Sequence, residues 1–134
     1  MNDCIFCKII QGEIPSYKVY EDENVLAFLD IAPTNPGHVL VIPKEHYQNI
    51  EEATDEALNS LMAVVKKIGL KIKNNLGAPG YNVCVNNDPV AGQIIPHLHF
   101  HIVPRNNDDG LKPWPQKKYE AGEADNIQEK IKYN

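Results

Sequence analysis

Three histidines alternate with apolar residues over positions 96–104, which read PHLHFHIVP. Side chains two apart on a β-strand point to the same face, and a strand rises about 3.3 Å per residue. The pattern therefore predicts one strand over this segment, with neighbouring imidazoles roughly 6.6 Å apart. His97, His99 and His101 would form its chemical face, while Leu98, Phe100 and Ile102 face the core. An imidazole is a nucleophile, acid, base or metal ligand according to its neighbours.

A candidate metal site includes two cysteines near the amino end of the chain. Cys4 and Cys7 form a C-x-x-C pair, which needs two more ligands to complete a tetrahedral zinc site. His46 and His97 are the candidates for those two positions. Two thiolates and two imidazoles leave no open coordination position, so the predicted zinc is structural. Two buried thiols or a redox pair are the alternatives, and the redox pair lacks the strand that should precede it.

The remaining histidines of the row, His99 and His101, are available for chemistry at phosphorus. A neutral imidazole attacks phosphorus well, and a neighbouring imidazole can hold the phosphate or protonate a leaving group. The loop over residues 86–93, with Gly92 and Gln93 at its end, can supply an amide and close backbone N–H groups to phosphoryl oxygens. The alternative, packed core histidines, does not account for three in strict alternation.

Two further residues have more than one interpretation. His38 follows a Pro-Gly pair and precedes a buried strand, and by itself resembles an edge residue. Asp30 either caps the loop after its strand or accepts hydrogen bonds from sugar hydroxyls. Cys84 is predicted to be plain packing, and Trp114 to cover an apolar patch.

The pattern of apolar residues predicts an α+β domain with an antiparallel five-stranded sheet, one long helix and one short helix. The long helix starts after Thr54 and ends near Leu76, with Leu58, Leu61, Met62, Val65, Ile68, Ile72 and Leu76 on its buried face. The short helix lies within residues 4–12, with Ile5, Ile9 and Ile10 as its apolar contacts, and a weak helix lies near residues 125–133. Further strands are expected over residues 17–20, 25–29, 39–42 and 81–86.

Bulk composition limits the functional classes. The chain has 134 residues, enough for one domain, with 43% hydrophobic and 23% charged residues. The formal net charge of −5 disfavours broad binding to nucleic acid. No apolar run approaches the roughly 20 residues that span a bilayer, so no membrane partner is expected. An odd count of three cysteines and no visible signal peptide predict a cytoplasmic location.

Several blocks together resemble one known family. Residues 28–33 (FLDIAP), 37–44 (GHVLVIPK) with His46, and 91–93 (AGQ) precede the histidine segment in order. The chain is thereby identified as similar to the histidine triad (HIT) family from Cys4 to about Arg105. It most resembles the bacterial and archaeal branch of histidine triad nucleotide-binding proteins. The expected division is a HIT domain over residues 1–105 and a tail over residues 106–134 that packs on the domain or on a dimer partner.

The resemblance implies a homodimer with a purine mononucleotide (AMP-type) site on each protomer. His99 would attack the α-phosphate and form a nucleotidyl-histidine that water hydrolyses, His101 would bind the phosphate or leaving group, and His38 would orient His99. The nucleotide-binding positions implied are Asp30 at the ribose, Phe28, Leu29 and Ile31 around the base, and Asn86, Gly92 and Gln93 at the phosphate. It also implies zinc bound by Cys4, Cys7, His46 and His97.

The implied activity is hydrolysis of purine nucleoside 5′-phosphoramidates or related adenylated compounds. Cleavage of dinucleoside polyphosphates is a second enzymatic reading, and a non-enzymatic nucleotide-binding module is a third. The chain departs from relatives of the animal proteins at Ile94, where they carry a serine. That loss of a hydroxyl weakens the expected protonation of a leaving group. The tail differs in length and sequence.

Overall fold

A computed structural model describes residues 3–133 of the chain. The chain folds into a five-stranded antiparallel sheet with helices, so the predicted α+β class is confirmed. The helices are α1 (Ile5–Ile10), α2 (Asp55–Leu76) and α3 (Glu123–Ile131), and a 3-10 turn covers Pro89–Ala91. The strands are β1 (Lys18–Glu21), β2 (Val25–Leu29), β3 (Val39–Pro43), β4 (Gly80–Val85) and β5 (Phe100–Arg105).

The sheet has the order β1-β2-β3-β5-β4, and every neighbouring pair is antiparallel. Strand β5, which carries His101, therefore lies inside the sheet between β3 and β4. At His101 the flanking residues are Leu40 of β3 and Cys84 of β4. A side chain at this position is held on both sides by paired backbone, which suits a residue whose geometry matters.

The two faces of the sheet have separate cores. One face packs against α2 through residues that include Leu98, Phe100 and Ile102. The other face packs against α1, where Phe28 and Leu40 contact a cluster around Phe6. The predicted division of the histidine segment is thus confirmed, because its apolar residues lie on the α2 side and its histidines lie on the side of α1.

Helix α2 is defined by its ends and by one close approach. The side chain of Thr54 accepts a hydrogen bond from the N–H of Ala57 at 3.1 Å, which caps the amino end as predicted. Gly77 ends the helix in the left-handed conformation at φ +71°. Gly69 lets the helix approach β4, because a Cβ there would lie 2.4 Å from the ring of Tyr81.

Several local predictions are wrong. The predicted strand over residues 96–104 begins only at Phe100, because the chain bends over residues 95–97. The buried face of α2 includes Val64 and excludes Met62 and Leu76, which are exposed. In α1 the buried residues are Phe6 and Ile9, whereas Ile5 is exposed. Cys84 is exposed on edge strand β4 and does not fill the core.

The tail lies open in this single chain. All residues from Leu111 to Tyr133, including Trp114 and the whole of α3, are exposed. Trp114 therefore covers no apolar patch of its own protomer. Among residues 3–133, no helix combines the length and apolar character that a membrane crossing requires.

Candidate active site

A cavity of about 420 Å³ opens on the α1 side of the sheet, where β2, β5, the loop before β5 and α1 meet. His99 and His101 line it, together with Asp30 at the end of β2. The predicted nucleotide-binding residues Phe28, Leu29, Ile31, Asn86 and Gly92 all line it, and so does Ile94. The cavity has apolar walls and a few convergent polar groups, the usual character of a small-molecule site.

His99 presents an unprotonated nitrogen by virtue of its backbone partner. Its Nδ1 lies 2.7 Å from the carbonyl oxygen of His97, and a carbonyl only accepts, so Nδ1 carries the proton. The lone pair of the neutral ring is therefore on Nε2. Burial lowers the pKa of His99, which keeps the ring neutral near pH 7. Phe6 of α1 supports the ring edge-on with the centroids 5.1 Å apart.

His101 has the opposite tautomer, set through His38. The N–H of Thr34 donates to Nδ1 of His38 at 3.1 Å, so the proton of neutral His38 is on Nε2. That Nε2 lies 2.9 Å from Nδ1 of His101, which must accept. The proton of neutral His101 is therefore on Nε2, an atom that is buried and has no hydrogen-bond partner among the described residues. Burial, with His99 and His38 nearby, lowers the pKa of His101 to about 4.

Asp30 adjoins these histidines at the same end of the cavity. Its Oδ1 accepts the N–H of Ala32 at 2.9 Å, and its Oδ2 lies 3.7 Å from Nε2 of His38. Asp30, His38 and His101 are close enough together to hold a metal ion. The proton assigned to Nε2 of His38 argues against that, because a ligating nitrogen must offer a lone pair. His38 and His101 are hydrogen-bonded to each other, and the carboxylate of Asp30 lies beside them.

The loop after β4 divides into a part that faces the cavity and a part that holds the loop. Asn86 reaches the carbonyl of Gly92 only at 3.4 Å, which leaves its amide available to a ligand. Gln93 is buried, and its Nε2 donates to the carbonyls of Gln48 at 2.6 Å and Ile95 at 3.1 Å. Its Oε1 accepts the N–H of Asp88 at 2.8 Å. The structure therefore places the Gln93 side chain on backbone partners, away from the expected phosphate position.

Residues from three separate segments meet at the start of α1 with metal-ligating atoms close together: Cys4, Cys7, His46 and His97. Nδ1 of His97 lies 3.3 Å from Sγ of Cys4 and 3.6 Å from Sγ of Cys7, and Nδ1 of His46 lies 3.4 Å from Sγ of Cys7. A tetrahedral zinc ion separates a sulfur and a nitrogen ligand by roughly 3.5 Å.

The hydrogen bond on the far side of His97 orients it for such a role. Its Nε2 donates to the carbonyl of Pro43 at 2.9 Å, so its lone pair on Nδ1 faces the two thiols. Burial, followed by the hydrogen bond and charge of Cys4, raises the pKa of Cys7 to about 11.

Sequence reasoning missed the contribution of the amino-terminal segment to the cavity. Ile5, Phe6, Ile9, Ile14, Pro15 and Ser16 all line it. The sequence does contain one indication of this contact, because Phe6 lies between the two cysteines. A metal ion bound by both thiols and by His97 would place Phe6 close to the histidine segment. No pattern in the sequence indicates that the exposed residue Asp88 has a positive φ, which is +76° in the structure.

Comparison with known proteins identifies the family of this chain. The HIT domain family model matches residues 11–108. An uncharacterised HIT-like protein of Methanocaldococcus jannaschii is 55% identical over 107 residues, which cover 80% of this chain and 82% of that protein. The adenosine 5′-monophosphoramidase of Schizosaccharomyces pombe is 45% identical, with 96% of this chain and 95% of that protein covered. The chain belongs to the HIT family.

Solved structures resemble the whole fold. A HIT family protein from Bacillus subtilis superposes with a TM-score of 0.89 at 45% identity, covering 96% of this chain and 94% of that one. A zinc-bound histidine triad family protein from Mycobacterium smegmatis has a TM-score of 0.79 at 39% identity, covering 83% of this chain and 81% of that one.

Proposed function

We propose that this chain is a nucleotidyl hydrolase that cleaves purine nucleoside 5′-phosphoramidates or related adenylated compounds. The observation that carries the proposal is the pair of opposite tautomers in one cavity. His99 offers a lone pair on Nε2, and His101 offers an N–H at the corresponding atom. The similarity to a monophosphoramidase along nearly the full length of both chains supports the same reaction class.

The proposed reaction has two displacements at the α-phosphorus. Nε2 of His99 forms a bond to phosphorus while the bond from phosphorus to the leaving nitrogen breaks, and the amine leaves with that electron pair and takes a proton from solvent. Water then forms a bond to phosphorus while the bond from phosphorus to Nε2 breaks, and the second proton of the water passes to solvent, which releases the nucleotide and neutral His99. His101 donates a hydrogen bond from Nε2 to the phosphate or the leaving group, and Asp30 accepts hydrogen bonds from the ribose hydroxyls. His38 fixes the tautomer of His101. This role differs from the one that the resemblance implied, in which His38 orients His99.

Replacing the nucleophile tests the proposal. His99→Ala should lower kcat for an adenosine phosphoramidate by at least about a thousand-fold, with AMP affinity kept within about threefold. Activity is measured by release of the amine, and affinity by titration calorimetry. Wild-type turnover of a panel with amine, sulfate and phosphate leaving groups decides among the family's reactions. Binding of AMP without turnover of any of these substrates would contradict hydrolysis and establish a binding module.

We further infer a structural zinc ion held by Cys4, Cys7, His46 and His97. The donor set is the one zinc prefers, and the lone pair of His97 faces the thiols. When bound, the ion would cross-link α1 to the segment that precedes β5, and it would have no part in the reaction at phosphorus.

Serine substitutions test the metal site. Cys4→Ser should reduce zinc from about one ion per chain to below about 0.2, because three ligands hold the ion far more weakly. Metal content is measured by elemental analysis of the purified protein. Cys84→Ser is the matched control, since Cys84 is exposed and lies on β4, outside this group. Equal zinc in the two variants would contradict the assignment.

The proposed assembly is a homodimer joined at β4, and the proposed location is cytoplasmic. Both β1 and β4 are edge strands, but β1 has four residues, two of them charged, and an irregular register. Charges and irregularity protect an edge from further pairing. Strand β4 has six uncharged residues in regular register, and exposes Val83. It is therefore the edge better suited to a partner.

A further inference from the structure

A tight turn presents His38 to the site. The N–H of His38 donates to the carbonyl of Asn35 at 3.1 Å, with Pro36 and Gly37 between them. Gly37 has a φ of +94°, so the four residues form a type II β-turn with Pro36 and Gly37 at its central positions. The same turn brings the N–H of Thr34 onto Nδ1 of His38. The position of this turn therefore decides which nitrogen of His38 carries the proton.

An acidic residue outside the cavity accepts an unusual number of hydrogen bonds. The Oδ2 atom of Asp109 accepts from Nε of Arg105 at 2.7 Å and from the N–H of Asn106 at 3.1 Å. Its Oδ1 accepts from Nη2 of Arg105 at 3.0 Å and from the N–H of Leu111 at 3.1 Å. Arg105 and these N–H groups hold the pKa of Asp109 well below its usual range.

Asn35 joins that carboxylate to the turn. Its Nδ2 donates to Oδ2 of Asp109 at 3.1 Å and to the carbonyl of Pro104 at 2.8 Å. Its own carbonyl is the one that accepts the N–H of His38. Arg105 also donates from Nη1 to the side chain of Asn82 on β4 at 2.7 Å. The clasp of Arg105, Asp109 and Asn35 thus ties the turn to the end of β5 and to β4.

The geometry points to this clasp as the positioning device for His38, and through His38 for the hydrogen that His101 presents to the phosphate. If the turn moves, the N–H of Thr34 no longer donates to Nδ1 of His38, and the proton of His38 is no longer fixed on Nε2. Nδ1 of His101 then loses its hydrogen-bond donor. His101 then presents a lone pair to a phosphoryl oxygen in part of the molecules. The kinetic consequence of this inference rests on the proposed hydrolase function, but the structural consequence at His38 does not.

A clasp that serves only stability predicts a different result from one that positions His38. Loss of stability alone lowers the melting temperature and leaves the folded protein fully active. Loss of positioning leaves the nucleoside contacts intact and lowers the rate of the chemical step. The nitrogen spectrum of His38 separates the two directly, because ¹⁵N shifts distinguish a protonated nitrogen from an unprotonated one.

The test is Asp109→Asn, which keeps the shape of the side chain and removes its charge. We expect kcat to fall about tenfold or more with KM within about threefold, since Asp30 and the apolar walls are unchanged. The His38 shifts should move from one fixed tautomer towards the average of two. Asp108→Asn is the matched control: Asp108 is exposed in the same turn, makes no side-chain hydrogen bond among the described residues, and has a φ of +60° that asparagine tolerates.

A second variant, Asn35→Ala, removes the connection and keeps the Arg105–Asp109 ion pair, so it decides the case if Asp109→Asn does not fold. Unchanged His38 shifts in the folded variants would overturn the inference. A wild-type protein without hydrolase activity would instead contradict the proposed function, and the His38 spectrum would still decide whether the clasp positions that ring.

Discussion

His97, His99 and His101 have the same side chain and differ in the group that each ring faces. Nε2 of His97 donates to the carbonyl of Pro43, and Nδ1 of His99 donates to the carbonyl of His97. His38 donates to Nδ1 of His101. Each ring is thereby left with a different free atom: a lone pair on Nδ1, a lone pair on Nε2, or an N–H. Partners distant in sequence assign these roles, so the spacing of the histidines alone could not.

The pH dependence of stability should report the burial of His101. Its folded pKa is about 4, with His38, His99 and Asp30 facing it, whereas an unfolded histidine titrates near 6.5. Between these values the unfolded chain binds a proton that the folded chain does not, so stability falls as the pH falls from 6.5 towards 4.

Both proteins should lose free energy of unfolding when the pH falls from 7.5 to 5. We expect the loss in His101→Gln to be smaller than the loss in the wild type, by at most about 2 kcal/mol. Urea denaturation at the two pH values measures both losses. Equal losses in the two proteins would show that His101 is accessible to protons in the folded state.

At the scale of elements, the turn before β3 depends on one glycine. A Cβ at Gly37 would lie 2.6 Å from Leu76 Cδ1 and 3.2 Å from Pro104 Cγ, and the residue has a φ of +94°. Gly77 has a φ of +71° but nothing within 4 Å of such a Cβ. An added Cβ would therefore cause backbone strain alone at Gly77, and both backbone strain and steric overlap at Gly37.

Gly77→Ala should lower the free energy of unfolding by about 1 kcal/mol, from the left-handed conformation alone. Gly37→Ala should lower it by about 3 kcal/mol, because overlap with β5 and α2 adds to that strain. Urea denaturation of both variants checks the difference. Equal losses would mean that the side chains of Leu76 and Pro104 move aside at no measurable cost.

The regular elements could be predicted wherever one period extends over many residues. Strand β2 was predicted with its observed bounds, β3 within one residue, and α2 with its cap at Thr54. The histidine segment also alternates correctly between faces. Its strand begins late because the chain bends over residues 95–97, where His97 hydrogen-bonds to β3 and faces the thiols. A tertiary contact of this kind leaves no local pattern.

Side-chain roles in the loop over residues 86–93 were harder to predict. A glutamine amide beside a glycine suits a phosphate, yet in Gln93 both the donor and the acceptor are used by backbone groups. Those partners include the carbonyl of Gln48, which is distant in sequence. Asn86 resembles Gln93 chemically but keeps its amide near the cavity. Only the folded backbone distinguishes the two amides.

At the scale of the whole molecule, one protomer leaves apolar surface without cover. The tail exposes Trp114, Tyr119 and Ile131, and β4 exposes Val83. A strand edge without charges favours pairing with an identical edge, which a twofold axis satisfies for both copies at once.

Lysine substitutions at the two edges test this assembly. Val83→Lys should convert a dimer to a monomer, because it places two charges close together across a symmetric pairing. Val19→Lys, on the opposite edge strand at 48% exposure against 41% for Val83, should leave the dimer intact. Sedimentation velocity measures both masses. A dimer that persists in Val83→Lys would place the interface elsewhere.

Helix α1 has only six residues, too few to be stable by itself, and it forms one wall of the cavity. Phe6, which supports the ring of His99, stands between Cys4 and Cys7 in the sequence. An alkylating reagent or an oxidant that modified those sulfurs would therefore loosen the wall without reaching His99 or His101, the residues proposed to act at phosphorus. The enzyme would inherit a sensitivity to thiol chemistry that its own reaction does not require.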